Sequence, residues 1–258
     1  MLSLKKYSRR SFALLALVPA LSCGPSKLQN TKIEGKKIPV TAEIQSVPEI
    51  DNFLKPYREH IDKDLDNVLA YCPETMDKSK SINGWQTTIG NFMAKVTFDA
   101  ADRLLFQREK LHVDGALLNH GGIRSIIPKG NVTTRTAFEI MPFENALVVM
   151  ALKGEQINEI AAYLAKEKKP HPLEGINVVL DSTGAVKRVT VQGKPVDLNK
   201  TYYIATSDYL SNGGDNMEFF KKAVASYDMN YKLRNIFIDY FKEADTLPII
   251  TTQKITVE

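Results

Sequence analysis

Histidine, cysteine and tryptophan are scarce in this sequence of 258 residues, which has four, two and one of them. The four histidines form no HxH, HExxH or similar metal-ligand spacing. A two-metal hydrolase needs a cluster of nitrogen and oxygen ligands around ions about 4 Å apart. No GxSxG, Walker A or dinucleotide-binding fingerprint is present either. The sequence therefore predicts no complete hydrolytic machinery and no metal or other cofactor on this chain.

A charge excess of one sign is also missing from most of the chain. The formal net charge is +4, but residues 1–22 contain four basic and no acidic residues. The other 30 Lys and Arg balance the 30 Asp and Glu. We therefore expect no nucleic acid partner. The hydrophobic content of 43% is that of an ordinary globular domain.

The first 22 residues are typical of an export signal. A basic segment, 5–10, precedes the apolar run 12–21, which is too short to span a bilayer. Ser22-Cys23 resembles a bacterial lipoprotein cleavage site, with Cys23 as the lipidated residue. Plain cleavage stays an alternative, and Arg9-Arg10 leaves the twin-arginine route open. We expect an exported protein of the bacterial envelope or periplasm, anchored to a membrane by lipid at Cys23.

The sequence after the signal divides into a tether and one domain. Residues 23–43 are polar and without periodicity, which is typical of a tether, and residues 44–258 form the predicted domain. If Cys23 is acylated, Cys72 has no partner for a disulfide. We interpret Cys72 as an inert, partly buried residue at the end of a helix.

Apolar spacing predicts a mixed α/β domain. Helices are predicted over 48–69, 86–105, 132–140, 154–166, 217–226 and 232–244. Strands are predicted over 116–118, 145–152, 201–207 and 254–257, with a hairpin over 177–191 that turns at 182–184. Hairpins exclude a purely parallel sheet.

Three loops at strand ends carry the candidate chemistry. Asn119-His120-Gly121-Gly122-Ile123-Arg124 and Asn212-Gly213-Gly214-Asp215 each follow a predicted strand, and Pro142-Phe143-Glu144-Asn145 precedes one. Paired glycines allow positive φ and close approach of a ligand to the backbone. Taken singly, each glycine pair is better explained as a tight turn with a solvated Arg or Asp, and Phe143 as a core residue.

The order NHGGIR, MPFEN and SDYLSNGGDN, preceded by Thr88-Ile89-Gly90-Asn91, resembles the 5′-nucleotidase C-terminal domain over about residues 44–258. This resemblance implies a single compact α/β (α+β mixed) domain with mixed sheets between helices. It also implies a nucleoside site in which Phe143 and Tyr209 stack on the base and Asp215 holds the ribose. Asn119, Arg124 and Asn145 complete the substrate-binding set, with the glycine loops at Gly121, Gly122, Gly213 and Gly214.

The chemistry of these side chains agrees with that expectation. Two aromatic faces, an acid for a diol and an arginine for polar oxygens suit a nucleoside or nucleotide. An adenine-type ligand is favoured, and the ring face of Tyr209, rather than its hydroxyl, is expected to make the contact. His120 occupies a variable motif position and is left out of the site, and the other histidines are interpreted as surface or loop residues: His60, His112 and His171.

Two departures from the family pattern leave the function open. Many members of the family have an Arg shortly before the Gly-Asn motif. In this sequence Asn83 lies near that place, which predicts weaker contact with phosphate. No metallophosphatase domain is found in the sequence. One hypothesis is the substrate-binding half of a split 5′-nucleotidase, with divalent metals on a separate metallophosphatase chain. The other is a non-enzymatic envelope lipoprotein that binds nucleosides or nucleotides.

Overall fold

The computed structural model describes residue 30, residues 32–41 and residues 43–258. The predicted signal at 1–22 and the predicted lipidation site Cys23 lie outside the described residues. The chain divides into two units, Met1–Asp51 and Asn52–Glu258. No helix in the described ranges is long and apolar enough to cross a bilayer.

Six α-helices lie in the described residues. They are α1 (Pro48–Leu65), α2 (Thr88–Glu109), α3 (Thr134–Ile140), α4 (Gly154–Glu167), α5 (Asp208–Ser211) and α6 (Leu233–Glu243). Helix α2 begins because the Thr87 hydroxyl accepts the N–H of Gly90, and it ends where Lys110 takes a left-handed conformation.

Eleven strands in the same described part of the chain form three sheets. They are β1 (Val68–Cys72), β2 (Gly115–Leu117), β3 (Gly130–Thr133), β4 (Ala146–Lys153), β5 (Leu173–Glu174), β6 (Ile176–Leu180), β7 (Val186–Val191), β8 (Lys194–Pro195), β9 (Thr201–Ser207), β10 (Ala225–Lys232) and β11 (Ile255–Val257). The central sheet has the order β10-β4-β9-β2-β5, a second sheet has the order β11-β6-β7-β8, and β1 pairs with β3.

The central sheet has a hydrophobic core on each face. Along β4, Leu147 and Val149 belong to the cluster that contains α2 and α6 residues, whereas Val148 and Met150 belong to the cluster that contains α4. Alternation along a strand sends these side chains to opposite faces. The sheet is thus covered on both faces by helices, and the predicted mixed α/β class is confirmed.

Several predicted boundaries were wrong. The helix predicted over 48–69 ends at Leu65, and β1 follows. Cys72 is the last residue of that strand rather than a helix end, and it is fully buried. Burial raises the pKa of its thiol, as expected of an inert cysteine.

Two other segments predicted as helices contain strands. The segment 132–140 begins as β3 and becomes α3 only at Thr134, where the Thr133 side chain caps the helix. The segment 217–226 contains a 3₁₀ turn, Glu218–Lys222, and then enters β10. Strand β10 forms because its backbone pairs with that of β4. This long-range contact overrides the local propensity of the segment.

The central sheet brings the three candidate loops to one edge. Strands β4 and β9 are antiparallel, with Leu147 opposite Ser207, while β2 and β9 are parallel. The start of β4 therefore lies beside the ends of β9 and β2. Loops leaving or entering at those three points lie together.

Candidate functional site

The three loops enclose a cavity of about 390 Å³. It is lined by all six predicted substrate-binding residues and one glycine pair: Asn119, Gly121, Gly122, Arg124, Phe143, Asn145, Tyr209 and Asp215. The other pair, Gly213 and Gly214, lines an adjoining recess together with Asn145 and Tyr209. The structure thus gathers every candidate residue of the described part in one place.

Glycine is required at Gly214 because the backbone passes under an aromatic ring. A Cβ atom there would lie 2.5 Å from the Tyr209 ring. Its neighbour Gly213 has φ of +84°, in the left-handed region that favours glycine. The second glycine pair therefore lets the chain turn tightly against Tyr209.

The two aromatic side chains are half exposed. Phe143 is 41% and Tyr209 47% exposed, so neither is a core residue. The Arg124 guanidinium lies 5.7 Å from the centre of the Phe143 ring. Its Nη1 donates to the carbonyl of Gly121 at 3.2 Å, which ties it to the first glycine loop. Ring faces and a cation are thus presented at one cavity.

Asp215 is held from several sides. Its Oδ2 accepts the side-chain amide of Asn119 at 2.7 Å, and its Oδ1 accepts the Tyr209 hydroxyl at 3.0 Å. That hydroxyl oxygen also accepts the backbone N–H of Asp215 at 3.2 Å. Asp215 has φ of 51°, an uncommon conformation for a residue with a Cβ. The hydrogen bonds to Asn119 and Tyr209 stabilise Asp215 in this conformation.

Tyr163 is a site residue that the sequence pattern did not identify. Its hydroxyl donates to the backbone carbonyl of Asp215 at 2.8 Å. Burial raises the pKa of Tyr163 to about 12, so the hydroxyl stays a donor at neutral pH. Tyr163 lies in α4, and nothing in the sequence links α4 to the second glycine loop.

Arg234 holds the Phe143 loop in place, and the sequence pattern did not identify it either. It is buried at the start of α6, and its Nη1 donates to the Pro142 carbonyl at 3.2 Å. It also pairs with the Glu144 carboxylate and lies 4.0 Å from the Phe138 ring centre. This ion pair lowers the pKa of Glu144. The loop is therefore anchored to α6.

His171 lies in the loop between α4 and β5, which agrees with the expectation of a surface or loop residue, but it is buried. It is 3% exposed, and its Nδ1 accepts the backbone N–H of His120 at 3.2 Å. Burial lowers the pKa of His171 to about 4, so its ring is neutral at pH 7. Both histidines line a second cavity of about 330 Å³ that shares Gly121 and Asp215 with the first. His60 and His112 are exposed, as expected.

The Gly90-Asn91 motif has a structural role in the fold. The Asn91 side chain is buried and donates to the carbonyls of Ile250 and Thr252 at 3.1 and 3.0 Å. It thereby holds the segment that leads into β11 and does not line the cavity.

The described residues contain no metal-ligating cluster. Across residue 30, residues 32–41 and residues 43–258, no group of three or more His, Cys, Asp or Glu side chains is placed to hold an ion. The cavity of the three loops presents two aromatic rings, a carboxylate, two side-chain amides and a guanidinium.

Comparison with known proteins gives consistent similarities. A family model described as 5′-nucleotidase, C-terminal domain, matches residues 69–222. Protein UshA of Yersinia enterocolitica is 30% identical over 197 residues, covering 73% of this chain and 33% of that protein. The trifunctional nucleotide phosphoesterase protein YfkN of Bacillus subtilis is 24% identical over 242 residues, covering 84% of this chain and 15% of that protein. The chain thus spans a third or less of these two curated relatives.

A solved structure shows the same similarity. The crystal structure of a 5′-nucleotidase precursor from Thermus thermophilus superposes with a TM-score of 0.65 at 25% identity. The superposition covers 80% of this chain and 42% of that one.

Proposed function

Because the chain belongs to the family of 5′-nucleotidase C-terminal domains, we propose that its cavity binds nucleosides and nucleotides, with adenine as the favoured base. The observation that carries this proposal is the convergence of Phe143, Tyr209, Asp215 and Arg124 on one cavity of about 390 Å³. That volume is in the range of small-molecule sites.

Each group has a role that its chemistry supports. The exposed rings of Phe143 and Tyr209 offer faces on which a planar base stacks. The Asp215 carboxylate accepts hydrogen bonds from the two ribose hydroxyls. Asn119 and Asn145 supply amide donors and acceptors around it. Arg124 binds phosphate or another anionic oxygen.

We further propose that this chain is the substrate-binding part of a split 5′-nucleotidase. A separate metallophosphatase chain holds the divalent metals and generates the nucleophile, and nucleotides are hydrolysed to nucleoside and phosphate between the two chains. Two observations support this assignment. The chain matches the C-terminal domain of 5′-nucleotidases, and the Bacillus relative is named a trifunctional nucleotide phosphoesterase.

Export and lipid anchoring at Cys23 remain part of the proposal. Support comes from the basic segment, the apolar run and the Ser22-Cys23 site of the sequence. Cys23→Ala is expected to release the protein from the membrane fraction into the soluble envelope fraction. An unmodified Cys23 in a wild-type protein that is already soluble, shown by mass spectrometry, would refute the anchor.

Calorimetry and a phosphatase assay test the two functional parts separately. The purified chain is expected to bind adenosine and AMP, and to hydrolyse AMP only when a metallophosphatase chain and a divalent metal are added. Absence of binding by both ligands would refute the nucleoside site. Metal-dependent hydrolysis by the highly purified chain alone would refute the division of labour between two chains.

A second candidate is a non-enzymatic envelope lipoprotein that binds nucleosides or nucleotides. The observation that favours it is that all six predicted binding residues stand on this one chain. Binding of adenosine with no hydrolysis of AMP in the presence of envelope metallophosphatases would support this candidate over the split enzyme.

A further inference from the structure

A histidine side chain holds the first glycine loop, residues 119–124, at the point where this loop leaves the central sheet. Strands β2 and β5 are antiparallel, and a further backbone bond, from the N–H of Leu118 to the carbonyl of Pro172 at 3.0 Å, extends their pairing. In a longer ladder the next N–H, that of His120, would go to the backbone carbonyl two residues before Pro172. It goes instead to Nδ1 of His171, at 3.2 Å. A side chain therefore replaces the strand as the partner of the loop.

This hydrogen bond requires one form of the imidazole. Because Nδ1 accepts an N–H, it carries no proton, and the proton of the neutral ring is on Nε2. His171 is 3% exposed, and burial lowers its pKa to about 4, so Nδ1 is free to accept at pH 7. Among the charged groups that face the ring, Lys169 opposes its protonation, whereas Asp215 and Glu167 favour it. Burial is the largest influence on the pKa, and the ring stays neutral.

The peptide group between Asn119 and His120 is bonded at both ends. Its N–H donates to His171, and its carbonyl accepts the N–H of Gly122 at 3.1 Å. The Asn119 side chain, which leaves the backbone next to this peptide group, donates to Oδ2 of Asp215 at 2.7 Å. A Cβ atom at Gly122 would lie 2.6 Å from the amide oxygen of Asn119, so this side chain has little room for another position. Fixing the peptide group therefore fixes the amide that orients the carboxylate.

The ring of His171 also contacts a second residue that supports Asp215. The centroids of the His171 and Tyr163 rings are 5.6 Å apart. The Tyr163 hydroxyl donates to the backbone carbonyl of Asp215 at 2.8 Å. His171 itself lines the neighbouring cavity of about 330 Å³ and not the cavity of the three loops. It thus reaches Asp215 through two intermediaries, without a place in the wall of the nucleoside cavity.

We infer that His171 is a positioning residue for the ribose-binding carboxylate of Asp215. This inference deepens the proposed function and rests on it, because that proposal assigns Asp215 to the ribose hydroxyls. The Nδ1 acceptor holds the peptide group after Asn119, and the Asn119 amide holds the carboxylate. A group that is oriented before the ligand arrives loses less entropy on binding. His171 therefore contributes to selectivity for ribonucleosides over nucleosides that lack the diol.

Two substitutions of the same branched shape separate the acceptor from the packing. In His171→Asn the side-chain oxygen takes the place of Nδ1, whereas His171→Leu has no hydrogen-bonding group. Calorimetry on the purified chain measures the Kd for adenosine and for 2′,3′-dideoxyadenosine. We expect His171→Leu to weaken adenosine binding about 2- to 10-fold more than binding of the dideoxy analogue. His171→Asn is expected to keep the wild-type ratio of the two Kd values.

The outcomes distinguish this inference from the proposed function. An unchanged ratio in His171→Leu, or an equal change in both variants, overturns the positioning role while the nucleoside site stands. Failure of the wild-type chain to bind adenosine refutes the proposed function itself.

NMR on the wild-type chain tests the inference even if His171→Leu does not fold. The nitrogen shifts of the His171 ring report its tautomer, and the form with the proton on Nε2 is expected at pH 7. Slow hydrogen exchange is expected at the amide of His120, because its N–H is bonded to a buried acceptor. A proton on Nδ1, or fast exchange at His120, overturns the inference.

Discussion

The side-chain amide of Asn119 donates a hydrogen bond to Oδ2 of Asp215 across 2.7 Å, joining two loops that lie 96 residues apart in the sequence. The contact ties the first glycine loop to the second and orients the carboxylate before a ligand arrives. A group oriented in advance loses less entropy on binding than a mobile one. Asp215 is thus prepared for its proposed partners, the ribose hydroxyls.

Tyr209→Phe is expected to weaken adenosine binding, contrary to the sequence-based expectation that only the ring face counts. The hydroxyl bonds both the carboxylate and the backbone N–H of Asp215. Losing it should reduce affinity for adenosine about 2- to 10-fold and leave 2′,3′-dideoxyadenosine unaffected. Calorimetry with both nucleosides measures the difference. Equal weakening for the two ligands would show that the hydroxyl does not act through Asp215.

Tyr163→Phe tests the support of Asp215 from outside the cavity. The substitution removes the donor to the Asp215 carbonyl while keeping the ring, so the left-handed backbone loses one of its contacts. Affinity for adenosine should fall about 2- to 10-fold, more than affinity for its dideoxy analogue. Tyr71→Phe, at an exposed tyrosine outside the cavity, should change neither value. No change with Tyr163→Phe would contradict a positioning role.

Phe143→Ala should weaken binding of adenosine by about 5- to 150-fold, which corresponds to about 1–3 kcal/mol of base stacking. The melting temperature should stay close to that of the wild type, because the ring is half exposed. Phe106→Ala is the matched control, since Phe106 is 43% exposed and lies outside the cavity. A large fall in melting temperature with unchanged affinity would identify Phe143 as a packing residue instead.

Stability should fall as the pH drops from about 6.5 to about 4. The pKa of His171 is lowered to about 4 in the folded state, from 6.5. Between these values the unfolded chain binds a proton that the folded chain does not, so the free energy of unfolding decreases as the pH falls. The full contribution is present above pH 6.5 and amounts to about 3 kcal/mol.

Chemical denaturation at several pH values measures this dependence. His171→Asn, whose side-chain oxygen can still accept the N–H of His120, should flatten the profile over that range. A wild-type profile that is already flat would contradict the buried neutral ring.

The sequence predicted the cavity better than it predicted the segments around it. The six predicted binding residues belong to motifs that are local, a few residues each, and the sheet brings these motifs together at one cavity. Tyr163 and Arg234 were missed because their contacts join the loops to α4 and α6 across 52 and about 90 residues. No spacing rule reaches that far.

Strands at sheet edges were the other source of error. In β1, Val68 and Leu69 continue the apolar spacing of the preceding helix, so the pattern itself favoured a longer helix. Strand β10 has the polar sequence ASYDMNYK, and its backbone pairing with β4 is what makes it a strand. Local propensity carries no information about a partner strand that lies about 75 residues earlier.

The pairing of β4 with β9 has a consequence for the placement of the two aromatic side chains of the cavity. Phe143 precedes one strand and Tyr209 follows the other, and seven consecutive residue pairs, from Leu147 with Ser207 to Lys153 with Thr201, join them. A slip of one residue would move one ring past the other by about 3.4 Å and invert every side chain of the slipped strand. The relative position of the two loops that carry Phe143 and Tyr209 is therefore set in large part by backbone hydrogen bonds of the sheet. Exchanging one of these aromatic residues for another changes the ring that a loop presents, whereas the sheet keeps the two loops where they are.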